Sequence, residues 1–210
     1  MFSSFFHRFF DKNKELAIPL EEVRFVVFDT ETTGFDVVTD RILSVGAVTV
    51  FKNRIDLKNS LEVFLKQEKS NPESIPIHGI IKNHKYDKLP EKEAVELFFN
   101  YVQDAVLVGH HVGYDIKMIN AAFQRHQLPI LNNNYLDTNY LFKKIKIINY
   151  LLQNDKNYTL DEVCQELNII THDRHNAAGD AFLTAIAFLK IISKLAEFRK
   201  ITTLNMLLKL

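Results

Sequence analysis

The sequence contains one cysteine and no excess of positive or negative charge. Its single cysteine, Cys164, excludes an intrachain disulfide and a zinc knot of paired cysteines, and it fits a reducing, cytoplasmic compartment. The 26 Lys and Arg residues balance the 26 Asp and Glu residues, so binding to a polyanion must come from a local patch and from metal ions. No apolar run approaches the roughly 18 residues of a membrane span, and we expect no export signal.

The remaining composition is typical of one globular domain. A chain of 210 residues, 47% of them hydrophobic, buries a full core without metals or disulfides. With 25% charged and 11% aromatic residues, it lies far from a disordered composition. We expect an N-terminal amphipathic extension over residues 1–20, the main domain over 21–195 and an apolar tail over 196–210.

The N-terminal extension carries a stripe of phenylalanine. Its five rings fall at i, i+3, i+4, i+7 and i+8, which is one side of a short helix. We favour the interpretation that the stripe packs back on its own chain, and the alternative is a helix that binds a partner or a membrane surface. The five residues are Phe2, Phe5, Phe6, Phe9 and Phe10.

Within the main domain, strand periodicity comes first and alternating strands and helices follow. The first pattern predicts an antiparallel meander over residues 23–29, 42–50 and 55–65. The second predicts βα units, so the sheet is mixed and helices cover its faces. Strands are predicted over 105–109 and 135–137, and helices over 90–104, 116–123, 138–146, 160–167 and 176–194.

Asp29 and Glu31 stand two residues apart where the first predicted strand ends. Side chains two apart in a strand point to the same face, so both carboxylates project into the crevice beyond the strand end. Adjacent anions repel unless positive charge lies between them, and all-oxygen ligation suits Mg²⁺ or Mn²⁺. The alternative is a polar strand-to-loop boundary without function.

Two further carboxylates stand near helix starts. Asp115 follows the strand predicted over 105–109, which would bring it toward the first pair; taken alone, it is a helix N-cap. Asp180 lies five residues after His175, a separation of about 140° on one helix, so we expect His175 on the preceding loop. With Asn176 as the N-cap, Asp180 falls near the first turn, where the helix dipole favours a carboxylate. Taken alone, this is a well-capped core helix.

Three segments together resemble, in order and spacing, the motifs of the DnaQ-like 3′–5′ exonuclease superfamily, in its DEDDh group. They are FDTETTG at 28–34, Gly109-His110 followed by Asp115, and HNAAGDA at 175–181. The resemblance spans about residues 23–191 and is nearest to the proofreading epsilon subunits of bacterial DNA polymerase III. It implies an α/β fold with a ribonuclease H-like mixed sheet, a three-strand meander followed by βα units, and helices on both faces.

The same resemblance implies the catalytic roles. Two divalent cations, Mg²⁺ or Mn²⁺, would clamp the attacking and leaving oxygens of the phosphodiester, and His175 would be the general base. The metal ligands would be Asp29, Glu31, Asp115 and Asp180.

The resemblance also implies contacts to the terminal nucleotide and shows two departures from the family pattern. His111 stands where Asn is usual, and Tyr114 stands where Phe is common. Neither change removes a metal ligand. The expected substrate-binding residues are Thr30, Thr32, Glu73 and His78.

The expected function is removal of nucleotides from a single-stranded 3′ end of DNA, in proofreading or repair. A DNA polymerase catalytic subunit is an expected partner, and a stand-alone enzyme is equally compatible with the sequence. Two alternatives stay open. One is a 3′–5′ exoribonuclease, because the contacts that would read a 2′-OH cannot be located from sequence. The other is a catalytically silent, polymerase-associated structural subunit.

Overall fold

The computed structural model describes residues 18–68, 87–146, 156–171 and 174–210, and the phenylalanine stripe, Glu73 and His78 lie outside these ranges. Within them, a six-stranded sheet has the order β4-β3-β2-β1-β5-β6. The strands β1 to β3 form the predicted antiparallel meander, whereas β5, β6 and β4 each pair in parallel with a neighbour. The strands are β1 (Phe25–Thr32), β2 (Ile42–Phe51), β3 (Arg54–Lys66), β4 (Lys88–Pro90), β5 (Val106–Gly109) and β6 (Tyr135–Asp137).

Six α-helices accompany the sheet in the described ranges, and none of them combines the length and apolar character that a membrane crossing requires. The helices are α1 (Glu91–Val102), α2 (Gly113–Arg125), α3 (Thr138–Lys146), α4 (Leu160–Glu166), α5 (Ala177–Arg199) and α6 (Leu204–Leu208).

The alternation of side chains along β1 sorts the core into two layers. Phe25 lies on one face, where its ring meets Phe188 of α5 at 4.9 Å between centroids. Phe28 lies on the other face, where it meets Phe98 of α1 at 5.1 Å. Because both faces of β1 are covered, this central strand is apolar at consecutive positions. The predicted mixed sheet with helices on both faces is confirmed.

The structure differs from the predicted elements mainly at short or terminal segments. The three-residue strand β4 was not predicted, since it is too short for a periodic signal and pairs only with the end of β3. Helix α5 continues past the predicted end at Lys194 to Arg199, because its apolar face continues through the buried Leu195. In the tail, Leu204 and Leu207 are buried in the same core layer as α5. The proposed division into three segments stays a prediction.

The start of α5 lies directly on β2 at Gly46. A Cβ atom at this position would stand 2.2 Å from the backbone carbonyl carbon of Ala177. This distance is a steric clash with backbone, which cannot move aside as a flexible side chain can. Gly46 is also the register partner of Asp29 on β1. The missing side chain at Gly46 therefore sets how closely the first turn of α5 approaches the acidic end of β1.

We expect Gly46→Ala to lower the free energy of unfolding by about 2 kcal/mol or more, since helix α5 must move away from the sheet. The matched control is Gly113→Ala at the start of α2, where nothing lies within 4 Å of the added carbon. That change should leave stability equal or raise it by about 0.5 kcal/mol. Urea unfolding of both variants measures the difference, and equal stabilities would contradict the proposed close approach.

Candidate active site

Three carboxylates meet at the C-terminal end of β1, which continues to Thr32, past its predicted end at Asp29. Asp29 and Glu31 leave the strand on the same side, as their spacing predicts, and Asp180 approaches from the first turn of α5. One ligand oxygen from each of the three lies within 4.8 Å of the others. The helix start is held by Asn176, whose side-chain oxygen accepts a hydrogen bond from the Gly179 N–H at 2.7 Å. The predicted N-cap is therefore confirmed, and the three-carboxylate cluster is suited to a hard divalent cation.

Asp115 reaches the same end of the sheet through a contact with β1. Its Oδ1 accepts hydrogen bonds from the backbone N–H of Thr30 at 3.2 Å and from the Thr30 hydroxyl at 2.6 Å. The alternative of Asp115 as a helix cap is wrong, because Val112 is the N-cap residue of α2. The predicted contact of Thr30 with the terminal nucleotide stays a prediction. The buried Thr30 hydroxyl holds Asp115, because in a strand it points away from the face that carries Asp29 and Glu31.

Crowding of the carboxylates changes their acidity. Burial, followed by repulsion from Asp180 and Asp115, raises the pKa of Glu31 to about 7. Burial also raises the pKa of Asp115 to about 7, against the hydrogen bonds from Thr30. The pKa of Asp29 is raised by burial first and by the surrounding carboxylates second. The site thus favours either protons or added positive charge near neutral pH.

His175 lies on the loop before α5, as predicted, and its side chain is exposed. Its backbone is in the left-handed region, with a φ of 64°, directly before the N-cap residue. His175 is not a member of the three-carboxylate cluster, and its exposed imidazole is accessible to solvent.

Arg174 is a charged residue of the site that the sequence reasoning missed. Its Nη1 donates to Oδ1 of Asp180, and its Nε donates to Oδ1 of Asp161 at 2.6 Å. The guanidinium thereby joins the acidic cluster to the start of α4. In the sequence, only the position of Arg174 directly before His175 could have indicated a role in the site. That position does not predict its contacts with Asp161 and Asp180.

The loop after β1 presents an exposed aromatic ring next to the start of α2. Phe35 is 85% exposed, and its ring lies 5.7 Å from that of Tyr114. The Tyr114 hydroxyl donates to the Gly34 carbonyl at 2.5 Å and lies 3.1 Å from the Thr32 hydroxyl. A Phe at position 114 would make neither hydrogen bond. Sequence reasoning missed Phe35, although its place directly after the first motif could have indicated it.

The two adjacent histidines of the second motif have different surroundings. Both ring nitrogens of His110 are engaged, with the Thr138 hydroxyl at 2.9 Å and the Tyr158 carbonyl at 2.8 Å. Burial lowers the pKa of His110 to about 4, so the ring is neutral and ties β5 to α3. His111 is exposed and has a φ of 59°, a region that Asn and His adopt more readily than most residues. This shared tolerance explains why His can stand where Asn is usual.

The raised pKa of Glu31 predicts how stability depends on pH in the presence of a chelator. The pKa of Glu31 is about 7 in the folded protein and 4.5 in the unfolded chain. The contribution of Glu31 to the free energy of unfolding is therefore fully present below about pH 4.5 and is lost as the pH rises through about 7. We therefore expect Glu31→Gln to be more stable than the parent at pH 8, by about 2 kcal/mol in the free energy of unfolding and with a higher melting temperature, and to differ little at pH 4.5. Thermal melts in EDTA across this range measure the effect.

The control for these melts is Glu96→Gln, which changes an exposed carboxylate on α1. An identical pH dependence of the melting temperature in Glu31→Gln and in the parent would contradict the assigned electrostatics.

The chain is similar to part of much longer bacterial polymerases. It is 29% identical over 196 residues to the PolC-type DNA polymerase III of Latilactobacillus sakei, covering 90% of this chain and 12% of that protein. It is 32% identical over 183 residues to the PolC-type DNA polymerase III of Caldanaerobacter subterraneus, covering 84% of this chain and 12% of that protein. The chain thus spans about an eighth of the length of these relatives.

The fold is similar to that of solved exonuclease I chains. Exonuclease I of E. coli in complex with a dT13 oligonucleotide matches with a TM-score of 0.68 and 17% identity, over 85% of this chain and 42% of that chain. A zinc-bound E. coli exonuclease I in complex with single-stranded DNA matches with a TM-score of 0.69 and 17% identity, over 85% and 41%. At this identity the likeness concerns the fold alone.

The family comparison covers the sheet and the acidic cluster together. The RNase_T family, described as exonuclease, matches residues 26–188, from β1 into α5. This range includes Asp29, Glu31, Asp115 and Asp180 together with His175. Since the match covers most of the chain, the protein belongs to the RNase_T exonuclease family, within the DnaQ-like 3′–5′ exonuclease superfamily.

Proposed function

We propose that the chain is a divalent-metal-dependent exonuclease that removes nucleoside monophosphates from the 3′ end of single-stranded DNA. The observation that carries the proposal is the cluster of Asp29, Glu31 and Asp180, whose ligand atoms lie within 4.8 Å of one another. Phosphodiester hydrolysis needs positive charge at the phosphate, and a set of carboxylates at a strand end is a means to hold it.

The residues present fit a hard divalent cation. The donors are carboxylate oxygens, and the pKa values of Asp29 and Glu31 are raised by burial and mutual repulsion, so added positive charge is favourable there. Asp29, Glu31 and Asp180 would hold one Mg²⁺ or Mn²⁺ ion, and Asp29 with Asp115 would serve a second. Bound cations supply charge neutralisation at the phosphate and lower the pKa of a coordinated water.

The general base in this proposal is His175. Its exposed imidazole precedes the α5 N-cap and is free of the three-carboxylate cluster. A ring nitrogen of neutral imidazole takes the proton of the attacking water, which is the role for which histidine is suited near pH 7. Thr30 acts through Asp115, by holding its carboxylate with two hydrogen bonds.

The substrate end would rest against the loop after β1. Phe35 is exposed on this loop, and its neighbour Tyr114, which directly precedes Asp115 in the chain, supports it and holds the loop through Gly34. Bases stack on exposed aromatic rings regardless of sequence. DNA is the favoured nucleic acid, because the exonuclease I chains of the same fold were solved with dT13 and dA16 oligonucleotides.

A proofreading or repair role is proposed from the relatives. The similar segments belong to PolC-type DNA polymerase III, so a polymerase catalytic subunit is the proposed partner of this chain. The proposed contacts to the terminal nucleotide rest on the family resemblance alone, and they are Thr30, Thr32, Glu73 and His78.

The first test uses a 5′-labelled single-stranded DNA oligonucleotide and its RNA counterpart, with Mn²⁺, Mg²⁺ or EDTA. We expect a metal-dependent ladder that shortens from the 3′ end, because the carboxylates need a cation to bind the phosphate. His175→Ala should lower kcat by about 10²- to 10⁴-fold, and Asp180→Asn should abolish the ladder. The control is Asp56→Asn, on β3 near the hairpin that joins it to β2.

The outcomes separate the alternatives. Faster shortening of RNA than of DNA would favour the exoribonuclease. Folded parent protein that shortens neither substrate would support the catalytically silent structural subunit.

Phe35→Ala tests the stacking surface. We expect KM for the oligonucleotide to rise about tenfold while kcat changes less, because one aromatic stacking contact contributes about 1 to 3 kcal/mol. Val38→Ala is the matched control, an apolar residue that is 81% exposed on the same loop. Steady-state kinetics of both variants provide the measurement, and equal KM values would contradict the assignment.

A further inference from the structure

The guanidinium of Arg174 contacts two carboxylates, those of Asp180 and Asp161. Its Nη1 donates to Oδ1 of Asp180, while Nε donates to Oδ1 of Asp161 at 2.6 Å and Nη2 lies 3.4 Å from Oδ2 of the same residue. The Arg174 side chain is 18% exposed, so the contact with Asp180 is shielded from water. One guanidinium therefore bridges a member of the three-carboxylate cluster and a carboxylate outside it.

The helix that carries Asp161, the second partner of Arg174, begins with a defined cap. Asp161 lies in the first turn of α4, which begins with a reciprocal capping box. The Thr159 hydroxyl accepts from the Glu162 N–H at 3.2 Å, and the Glu162 carboxylate accepts from the Thr159 N–H at 2.9 Å. The backbone of Asp161 is thus held by a capped helix through contacts that do not involve Asp180.

The charge of Arg174 offsets the repulsion within the cluster. It lowers the pKa values of Asp29 and Glu31, against the effects of burial and of the neighbouring carboxylates. A divalent cation at the same carboxylates would offset the same repulsion. A metal ion bound by Asp180 would lie close to the guanidinium on the same carboxylate, and the two positive charges would repel each other, so they compete for that carboxylate.

We propose that Arg174 is a built-in counter-cation that occupies the Asp180 carboxylate in the metal-free protein and yields it to the divalent ion, while Asp161 retains the guanidinium. The inference rests on the proposed metal-dependent function, and it assigns Arg174 and Asp161 as positioning residues. Two residues that are not ligands then modulate the metal affinity of the carboxylate cluster. Removing the Arg174 contact strengthens metal binding, and removing Asp161 weakens it.

The test compares Arg174→Gln, Arg174→Lys and Asp161→Asn in the full chain. Mn²⁺ affinity is measured by calorimetry, and melting temperatures are measured in EDTA and in saturating Mn²⁺. Lysine keeps the charge, but a single ammonium group cannot bridge both carboxylates as the guanidinium does. The control is Lys146→Gln, which removes an exposed ion pair to Glu166 on the same helix as Asp161.

We expect Arg174→Gln and Arg174→Lys to bind Mn²⁺ about tenfold more tightly than the parent, the size expected for one charge-assisted hydrogen bond. Asp161→Asn should bind Mn²⁺ about threefold to tenfold more weakly than the parent, because Asp180 is then the remaining carboxylate partner of Arg174. Both Arg174 variants should melt below the parent in EDTA, and the difference should shrink in Mn²⁺. Lys146→Gln should bind like the parent.

Three results would overturn the inference. If Arg174→Lys binds like the parent and only Arg174→Gln binds more tightly, charge at a distance is responsible. If the melting difference is the same in EDTA and Mn²⁺, Arg174 is merely structural. If parent and variants bind Mn²⁺ equally, there is no competition. Absence of Mn²⁺ binding in every protein, the parent included, would instead refute the metal site and with it the proposed function.

Discussion

The mutual repulsion of carboxylates at the end of β1 is the constraint on which the site depends. Asp29, Glu31 and Asp180 come within ligand distance of one another, and Asp115 adds a fourth charge to the same end of the sheet. Burial removes the water that would screen these charges, which is why the pKa values rise. Such an arrangement persists only when positive charge or protons compensate it. In the described structure, Arg174 contributes part of that compensation.

Backbone contacts hold the repelling groups together. The first turn of α5 can lie on β2 because Gly46 has no side chain, and this approach brings Asp180 to the partner strand of Asp29. The Thr30 backbone N–H and hydroxyl hold Asp115 against β1 in a similar way. The core on both faces of the sheet supplies the packing energy that offsets the electrostatic cost. Stability elsewhere in the fold is therefore what permits an acidic cluster here.

Much of the architecture was predictable because its signals are local. Alternation along β1 to β3 predicted the meander and the shared face of Asp29 and Glu31. The capping residue Asn176 and the small residues after it predicted the start of α5. Strand β4 escaped prediction because three residues carry no period. The hydrogen bonds from Thr30 to Asp115 escaped prediction because they depend on which side of β1 faces α2.

The sequence by itself determined the succession of strands and helices along the chain apart from β4, the residue types of the acidic cluster and their likeness to an exonuclease family. These properties follow from periodicity, capping and motif spacing, which act over a few residues at a time. Only the tertiary structure decided that Arg174 bridges Asp180 and Asp161, that Thr30 holds Asp115, and that Gly46 admits the start of α5. The physical reason is that hydrogen bonds and close contacts between distant segments depend on distances that no local pattern records.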